Sequence, residues 1–111
     1  MSTLSTHVLD TMHGRPAAGI AVVLSGPEGE IARGTTNGDG RCPNLVETAL
    51  APGRYAIRFG VADYFRGLGV ALPDPPFLDD VTVAFGVAAG GGHYHVPLLV
   101  SPFAYSTYRG S

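Results

Sequence analysis

Glycine and proline interrupt this chain so often that only short regular elements fit between them. The 111 residues include 16 Gly and 9 Pro, which are spread along the whole sequence. Glycine favours turns with positive φ and proline removes a backbone donor, so both tend to end strands and helices. The runs between them alternate apolar and polar residues, as half-buried strands do. The sequence therefore predicts an all-β sandwich or barrel.

The alternation assigns an inner face to each predicted strand. The first strand runs from Leu4 to Leu9, and Ile31 to Thr36 returns as the hairpin partner of a strand at 19–24. The predicted inner-face residues are Ile20, Val22 and Leu24, then Tyr55, Ile57 and Phe59, then Val81, Val83 and Phe85, and finally Tyr94, Val96, Leu98 and Val100.

Only the stretch from Val61 to Leu68 is suited to a helix, of about two turns, because Gly67 and Gly69 end it. The length leaves no room for a second domain, so residues 1–111 are predicted to form one. The opening stretch MSTLSTHVLD has no basic region and no apolar core of a signal peptide, and the chain does not end in SKL. We therefore expect a cytoplasmic protein that does not enter a membrane.

Charge and composition exclude several classes of function. The net charge is −2 and no basic stripe favours nucleic acid. All seven basic residues are Arg, so lysine Schiff bases and a phosphate-binding P-loop lysine are impossible. The single cysteine, Cys42, excludes an internal disulfide.

Four histidines are the first candidates for chemistry. His7 lies in the first predicted strand, His13 in the turn that follows, and His93 and His95 are two apart on one strand face. Imidazole suits proton transfer near neutral pH, although a strand histidine can also be purely structural. His93 and His95 with His7 could instead bind a metal, but nothing in the sequence spacing shows that the two strands lie close together.

Two further stretches carry polar groups. Thr36 to Arg41 contains Asn-Gly and Asp-Gly, which indicate a tight turn that could hold the Arg41 guanidinium in a fixed place. A calcium loop is not predicted, because the spacing lacks the first Asp and the final Glu. Cys42 and the serines near the histidine strand are weak candidates for a nucleophile. The ending Tyr108-Arg109-Gly110-Ser111 is unusually rich in polar groups for a terminus.

Together, these motifs resemble the 5-hydroxyisourate hydrolase branch of the transthyretin-like family. The matching stretches are Leu4 to Asp10 with Gly14 to Ala17, Thr36 to Arg41, Asp63 to Phe65, and HYHVPLLVSPFAYSTYRGS from His93 to Ser111. The resemblance covers essentially the whole chain. Its most specific element is the YRGS ending, which marks the hydrolases and is absent from the hormone carrier.

The resemblance implies a fold and an activity. The fold is a transthyretin-like sandwich of two four-stranded sheets with one short helix, assembled as a homotetramer with sites at the subunit interfaces. The activity is hydrolysis of 5-hydroxyisourate to 2-oxo-4-hydroxy-4-carboxy-5-ureidoimidazoline in urate degradation, without a cofactor.

The resemblance also implies the site residues. They are His7, Arg41 and His95 as catalytic groups, and Tyr108, Arg109, Gly110 and Ser111 as the substrate-binding tail. Opening the ring with water needs a base for the water, a positive group for the oxyanion and an acid for the leaving nitrogen. We expect His95 to be the base, Arg41 to stabilise the oxyanion and His7 to orient water or relay the proton, although the two histidines could exchange roles.

Three alternatives stay open at this point. The chain could be a transthyretin-like carrier of small ligands without turnover, a metallohydrolase using His93, His95 and His7, or a β-module without chemistry.

Overall fold

The computed structural model, which describes residues 1–46 and 48–111, has two β-sheets packed face to face. Seven of the described residues form α2, the longer of two short helices. The strands are β1 (Ser2–Asp10), β2 (Arg15–Pro16), β3 (Ala21–Gly26), β4 (Gly29–Thr35), β5 (Ala49–Leu50), β6 (Gly53–Phe59), β7 (Val81–Val87), β8 (Gly92–Val100) and β9 (Tyr105–Thr107), and the helices are α1 (Pro43–Val46) and α2 (Val61–Gly67).

The strand order confirms the predicted sandwich of two sheets. The first sheet has the order β2-β1-β8-β9, and the second has the order β4-β3-β6-β7. The two-residue strand β5 also pairs with β1, so the first sheet has five strands rather than the expected four. The one-turn helix α1 was not predicted either.

The pairing of β1 with β8 is the longest in the fold, and it is parallel. It runs without interruption from Ser2 opposite Gly92 to Asp10 opposite Val100. All strand pairings in the second sheet are antiparallel. Parallel neighbours need a long connection, and here the whole second sheet and α2 lie between β1 and β8 in the sequence.

The core lies between the two sheets and is built from the alternating residues that the sequence assigned to inner faces. Ile57 and Phe59 on β6 are fully buried, while Tyr55 at its start is half-buried. On β8 the alternation leaves His93 and His95 on the outer face. The fully buried side chains from the two sheets include Leu4, Val8, Val22, Leu24, Ile57, Phe59, Leu98 and Val100, and Ile20 just before β3 is fully buried as well.

Helix α2 ends where its glycines predict. Leu68 follows the last helical residue, and Gly69 adopts φ +81° while its N–H donates to the Arg66 carbonyl at 2.9 Å. A left-handed glycine after the last turn is a common way to end a helix. In the described part of the chain, neither helix is long or apolar enough to cross a membrane.

A buried polar cluster fixes α2 to the end of β1. Asp10 is fully buried, and its Oδ2 accepts hydrogen bonds from the Tyr64 hydroxyl at 2.7 Å and from His13 Nδ1 at 2.6 Å. Burial alone would raise the pKa of Asp10, but the hydrogen bonds from His13 and Tyr64 outweigh it and leave the pKa below its usual range. Burial and the bond to Asp10 raise the pKa of Tyr64 to about 12.

This cluster predicts how the free energy of unfolding depends on pH. A carboxylate with a lowered pKa stabilises the fold at neutral pH, and the contribution is lost as pH falls below about 3.9 and through the folded-state pKa. We expect Asp10→Asn to be less stable than the parent at about pH 7, with a difference that shrinks on acidification. Urea unfolding at a series of pH values measures it.

The Tyr64→Phe variant provides an independent measure of the same cluster. Losing one hydrogen bond to a charged carboxylate should cost about 1.5–3 kcal/mol at neutral pH. The matched control is Tyr105→Phe, because the Tyr105 side chain is exposed. Equal stabilities of the two Tyr→Phe variants would contradict the role assigned to the cluster.

Candidate functional site

The outer face of the first sheet collects polar side chains from β1 and β8. Thr3, Ser5 and His7 alternate with buried residues on β1, and His93 and His95 do the same on β8. The parallel register sets Thr3 opposite His93 and Ser5 opposite His95. Period-two alternation and this register therefore place all five side chains on one surface.

His7 lies in the middle of this surface, between β8 and the segment that carries Arg41. On one side it is opposite Pro97 of β8, and on the other it forms an antiparallel bridge with Arg41. A strand spacing of about 4.8 Å and a rise of about 3.3 Å per residue separate the His7 and His95 Cα atoms by roughly 8 Å. A small ring could therefore lie between the two imidazoles.

The turn before Arg41 is held by backbone and side-chain hydrogen bonds. Asn37 Oδ1 accepts from the backbone N–H of Asp39 at 3.0 Å and of Arg41 at 3.1 Å, and Asn37 N–H donates to the Arg41 carbonyl at 2.8 Å. The Gly40 carbonyl accepts from Val8 N–H at 2.8 Å. The predicted tight turn is thus present, and it is fastened to β1.

Gly40 is required in this turn. Its φ is +75°, and a Cβ atom there would lie 2.5 Å from the Val8 carbonyl oxygen. The Arg41 side chain beyond it is exposed. In the described part of the chain, no carboxylate pairs with the Arg41 guanidinium.

His95 is half-buried and is bonded through one ring nitrogen to β1. Its Nδ1 lies 2.8 Å from Ser5 Oγ, which also lies 2.8 Å from His93 Nε2. His93 Nδ1 in turn lies 2.7 Å from Thr3 Oγ1. The Nδ1 bond orients the His95 ring, so that Nε2 is the nitrogen left for chemistry.

The surroundings of His95 favour its neutral form. Burial lowers its pKa first, and the positive charge of Arg41 and the nearby His7 and His93 lower it further. A neutral imidazole near pH 7 can accept a proton, which a general base must do.

The C-terminal segment lies along the edge of β8 and reaches His95. Strand β9 pairs antiparallel with β8, and Gly110 then forms a bridge with His95, whose carbonyl accepts from Gly110 N–H at 2.8 Å. A Cβ atom at Gly110 would lie 2.5 Å from His95 Cδ2. Only glycine lets the tail approach this ring so closely.

The Arg109 side chain points away from the side of the sheet on which Gly110 contacts the His95 ring. Its guanidinium is stacked 4.0 Å from the centroid of the Tyr94 ring, and its Nη2 donates to the His93 carbonyl at 3.3 Å. Because Tyr94 points to the inner face, this cation lies on the side of the sheet away from the His95 ring. In this conformation Arg109 anchors the tail rather than facing the histidines.

Tyr108 and Ser111 are the remaining predicted tail residues. The register that sets Leu98 opposite Thr107 and His95 opposite Gly110 places Tyr108 opposite Pro97, on the other side of β8 from His7. The Tyr108 side chain is 60% exposed, and Ser111 is exposed as well. The Tyr108 side chain is therefore accessible at the edge of the first sheet, and Ser111 follows the contact between Gly110 and His95 at the end of the chain.

The geometry bears on the alternative chemistries. The Ser5 hydroxyl lies at hydrogen-bond distance from both His93 Nε2 and His95 Nδ1, so each of these nitrogens already has a protein partner. Among the described residues, no three His, Cys, Asp or Glu side chains are grouped to hold a metal ion. Cys42 is buried, which raises the pKa of its thiol and makes it a poor nucleophile.

Sequence analysis missed Ser5 and Thr3 as members of this surface. Their spacing with His7 gives a polar face to the first strand, which was a usable signal. Their contacts with His93 and His95 depend on a pairing between residues about 90 positions apart, and no local pattern specifies it.

The fold and the surface together define a class: a two-sheet β-sandwich with a histidine and arginine site on the outer face of one sheet. Comparison with known proteins identifies the family. The family model described as HIUase/Transthyretin family matches residues 4–110, so the chain belongs to this family.

The relatives cover the whole chain. A curated 5-hydroxyisourate hydrolase from Ralstonia nicotianae is 54% identical over an alignment of 117 residues that covers 100% of each chain. The solved structure of Klebsiella pneumoniae 5-hydroxyisourate hydrolase superposes with a TM-score of 0.87 at 36% identity, covering 100% of both chains. Sea bream transthyretin in complex with thyroxine gives a TM-score of 0.84 at 31% identity, covering 97% of this chain and 94% of that one.

The close contact at Gly110 predicts a local effect of Gly110→Ala. The added methyl group must displace either the tail or the His95 ring, so the N–H of residue 110 should exchange with solvent at least about tenfold faster. Hydrogen exchange and the His95 imidazole resonances measure this effect.

The matched control is Gly67→Ala, where an added Cβ meets nothing within 4 Å. Unchanged exchange and resonances in Gly110→Ala would show that the tail does not pack against His95 in solution.

Proposed function

We propose that this chain hydrolyses 5-hydroxyisourate to 2-oxo-4-hydroxy-4-carboxy-5-ureidoimidazoline, with residues 1–111 acting as one transthyretin-like domain. The observation that carries the proposal is the meeting of His7, Arg41 and His95 on one outer sheet face, with the tail at Gly110 in contact with His95. That the chain is a hydrolase is supported by curated relatives of that name over its full length.

The base in this mechanism is His95. Its pKa lies below the usual value, so near neutral pH the ring is unprotonated, and Nδ1 is bonded to Ser5. Nε2 then removes a proton from water as the water attacks the ring carbonyl. The leaving nitrogen takes a proton back from the imidazolium, so no net proton stays on the enzyme.

Arg41 stabilises the oxyanion that forms on the carbonyl. Hydrogen bonds hold its backbone to the Asn37 turn and, through Gly40, to β1, so the backbone from which the guanidinium extends is held in place. Fixed positive groups at a developing oxyanion contribute about 3–4 kcal/mol by analogy with deleted oxyanion donors. His7, between Arg41 and β8, orients the water or relays the proton.

We further propose a homotetramer whose subunit interfaces cover the site. The site lies on an open sheet face, with exposed Arg41 and Tyr108 side chains. A second subunit over this face would exclude bulk water and enclose the ring, which strengthens electrostatic interactions. Tyr108, Gly110 and Ser111 would then line the pocket, while Arg109 in its present orientation would hold the tail in place. A cytoplasmic location is also part of this proposal.

The second candidate is a small-ligand carrier, favoured by the similarity to sea bream transthyretin in its thyroxine complex. An apolar ligand on the present surface would leave the polar groups of His7, Arg41 and His95 without partners, and this costs free energy. The surface therefore suits a small polar ring better.

Turnover of 5-hydroxyisourate by the purified chain tests the proposed function. We expect the absorbance of freshly made substrate to decay well above the spontaneous rate, also in the presence of a chelator. Arg41→Ala should lower kcat by about 10²–10³-fold. Arg54→Ala, at an exposed arginine of the other sheet, is the matched control and should keep full activity.

A rate equal to the spontaneous one would favour the carrier. Turnover lost with the chelator and restored by metal would favour the metallohydrolase.

The pH dependence of kcat/KM tests the role of His95. Because this ring must be neutral and its pKa lies below about 6.5, activity should fall only on acidification below that value. Arg41→Ala removes a positive charge that lowers this pKa, while His7 and His93 remain. The acid limb of its residual activity should therefore move to higher pH, and a limb that stays in place would contradict the assignment.

A further inference from the structure

A chain of side chains runs behind His95 along the outer face of the first sheet. The hydroxyl of Ser5 lies between the imidazoles of His95 and His93, and His93 lies between the hydroxyls of Ser5 and Thr3. All three links have hydrogen-bond lengths. The chain begins at exposed residues, His93 and Thr3, and ends at the half-buried ring of His95.

The direction of one hydroxyl proton decides whether His95 can act as a base. Ser5 has a single O–H, so it donates to one imidazole and accepts from the other. When it donates to His93 Nε2, it accepts from His95 Nδ1–H, and His95 Nε2 carries a lone pair. When it donates to His95 Nδ1, the hydrogen of His95 is on Nε2, which then accepts no proton.

We propose that Ser5 and His93 are positioning residues that form a proton relay to His95. They hold its hydrogen on Nδ1 and take up positive charge when Nε2 accepts a proton. This inference rests on the proposed function, since it concerns the base of that reaction. The relay corresponds in its role to the third group of a catalytic triad, which fixes the tautomer of the catalytic imidazole.

The relay neither gains nor loses a proton over one cycle. Water gives a proton to His95 Nε2, the Nδ1 proton moves to Ser5 Oγ, and the original Ser5 proton moves to His93 Nε2. His95 is then neutral with its hydrogen on Nε2, and the positive charge is on His93. The same steps in reverse return a proton to Nδ1 as Nε2–H protonates the leaving nitrogen.

The charges around the two imidazoles favour moving the positive charge outward. His95 is faced by His7 of β1, by Arg41 of the turn segment and by the backbone of Gly110. His93 lies two residues farther along the same face, away from the bridge between His7 and Arg41, and Arg109 reaches its carbonyl. A positive charge is therefore more favourable at His93, farther from the Arg41 cation, than at half-buried His95.

The tautomer of His95 can be observed directly. Long-range ¹H–¹⁵N NMR of the ¹⁵N-histidine-labelled protein distinguishes Nδ1–H from Nε2–H, and the chain has only four His to assign. We expect the neutral ring in the parent to carry its hydrogen on Nδ1. Ser5→Ala should shift it toward Nε2–H, and Ser5→Thr, which keeps the hydroxyl, should restore the parent spectrum.

Kinetics provide the second readout. By analogy with groups that orient metal-bound histidines, whose loss typically costs about 10–100-fold, Ser5→Ala should lower kcat by about that factor with little change in KM. His93→Gln can hold a hydrogen bond to Ser5 but takes up no proton, so it should lower kcat while keeping the fold. Ser25→Ala, in the second sheet, is the matched control and should match the parent.

The outcomes separate the relay from the proposed function. If the parent does not hydrolyse 5-hydroxyisourate, the proposed function fails, while the NMR experiment still decides the tautomer. If Ser5→Ala leaves the His95 tautomer unchanged, the relay is overturned even in an active enzyme. Parent-like kcat in His93→Gln would likewise overturn the transfer of charge to His93.

Discussion

The parallel pairing of β1 with β8 is the interaction on which the rest of the structure depends. It joins strands near the two ends of the chain over nine residues in one register. A shift of either strand by one residue would turn its own buried face outward, so the apolar residues on the inner sides fix the register strongly. The same register sets Ser5 beside His95 and His7 beside Pro97. Burial of the core therefore also positions the polar outer face.

How much of this follows from the sequence depends on the range of the interactions. The alternation on β8 separated Tyr94 and Val96 from His93 and His95, and the glycines at the end of α2 marked where it stops, because both are local effects. The pairing of β1 with β8 depends on packing across the whole domain, so the sequence did not specify it. The contact between Ser5 and His95 was missed for that reason. The two-residue strands β2 and β5 likewise form by pairing with β1.

Gly110 and Arg109 together hold the C-terminal segment at the edge of the first sheet. The absence of a side chain at Gly110 lets the backbone bond to the His95 carbonyl beside the ring. Arg109, one residue earlier, points to the opposite side and stacks on Tyr94. Alternation along an extended chain explains both orientations. One arginine of the matched motif thus secures the segment, while its neighbours remain at the face that carries the histidines.

The positive charge of Arg41 on this face has two consequences that suit the same reaction. Burial and the Arg41 cation, with His7 and His93 nearby, make a positive charge at His95 unfavourable, so its imidazole stays neutral and can accept a proton. The same field stabilises negative charge on a substrate carbonyl, where water adds. Accepting the proton would nevertheless place charge where the field opposes it. The proposed route through Ser5 to His93 would relieve this conflict, because the charge moves away from Arg41 while the field at the oxyanion is kept.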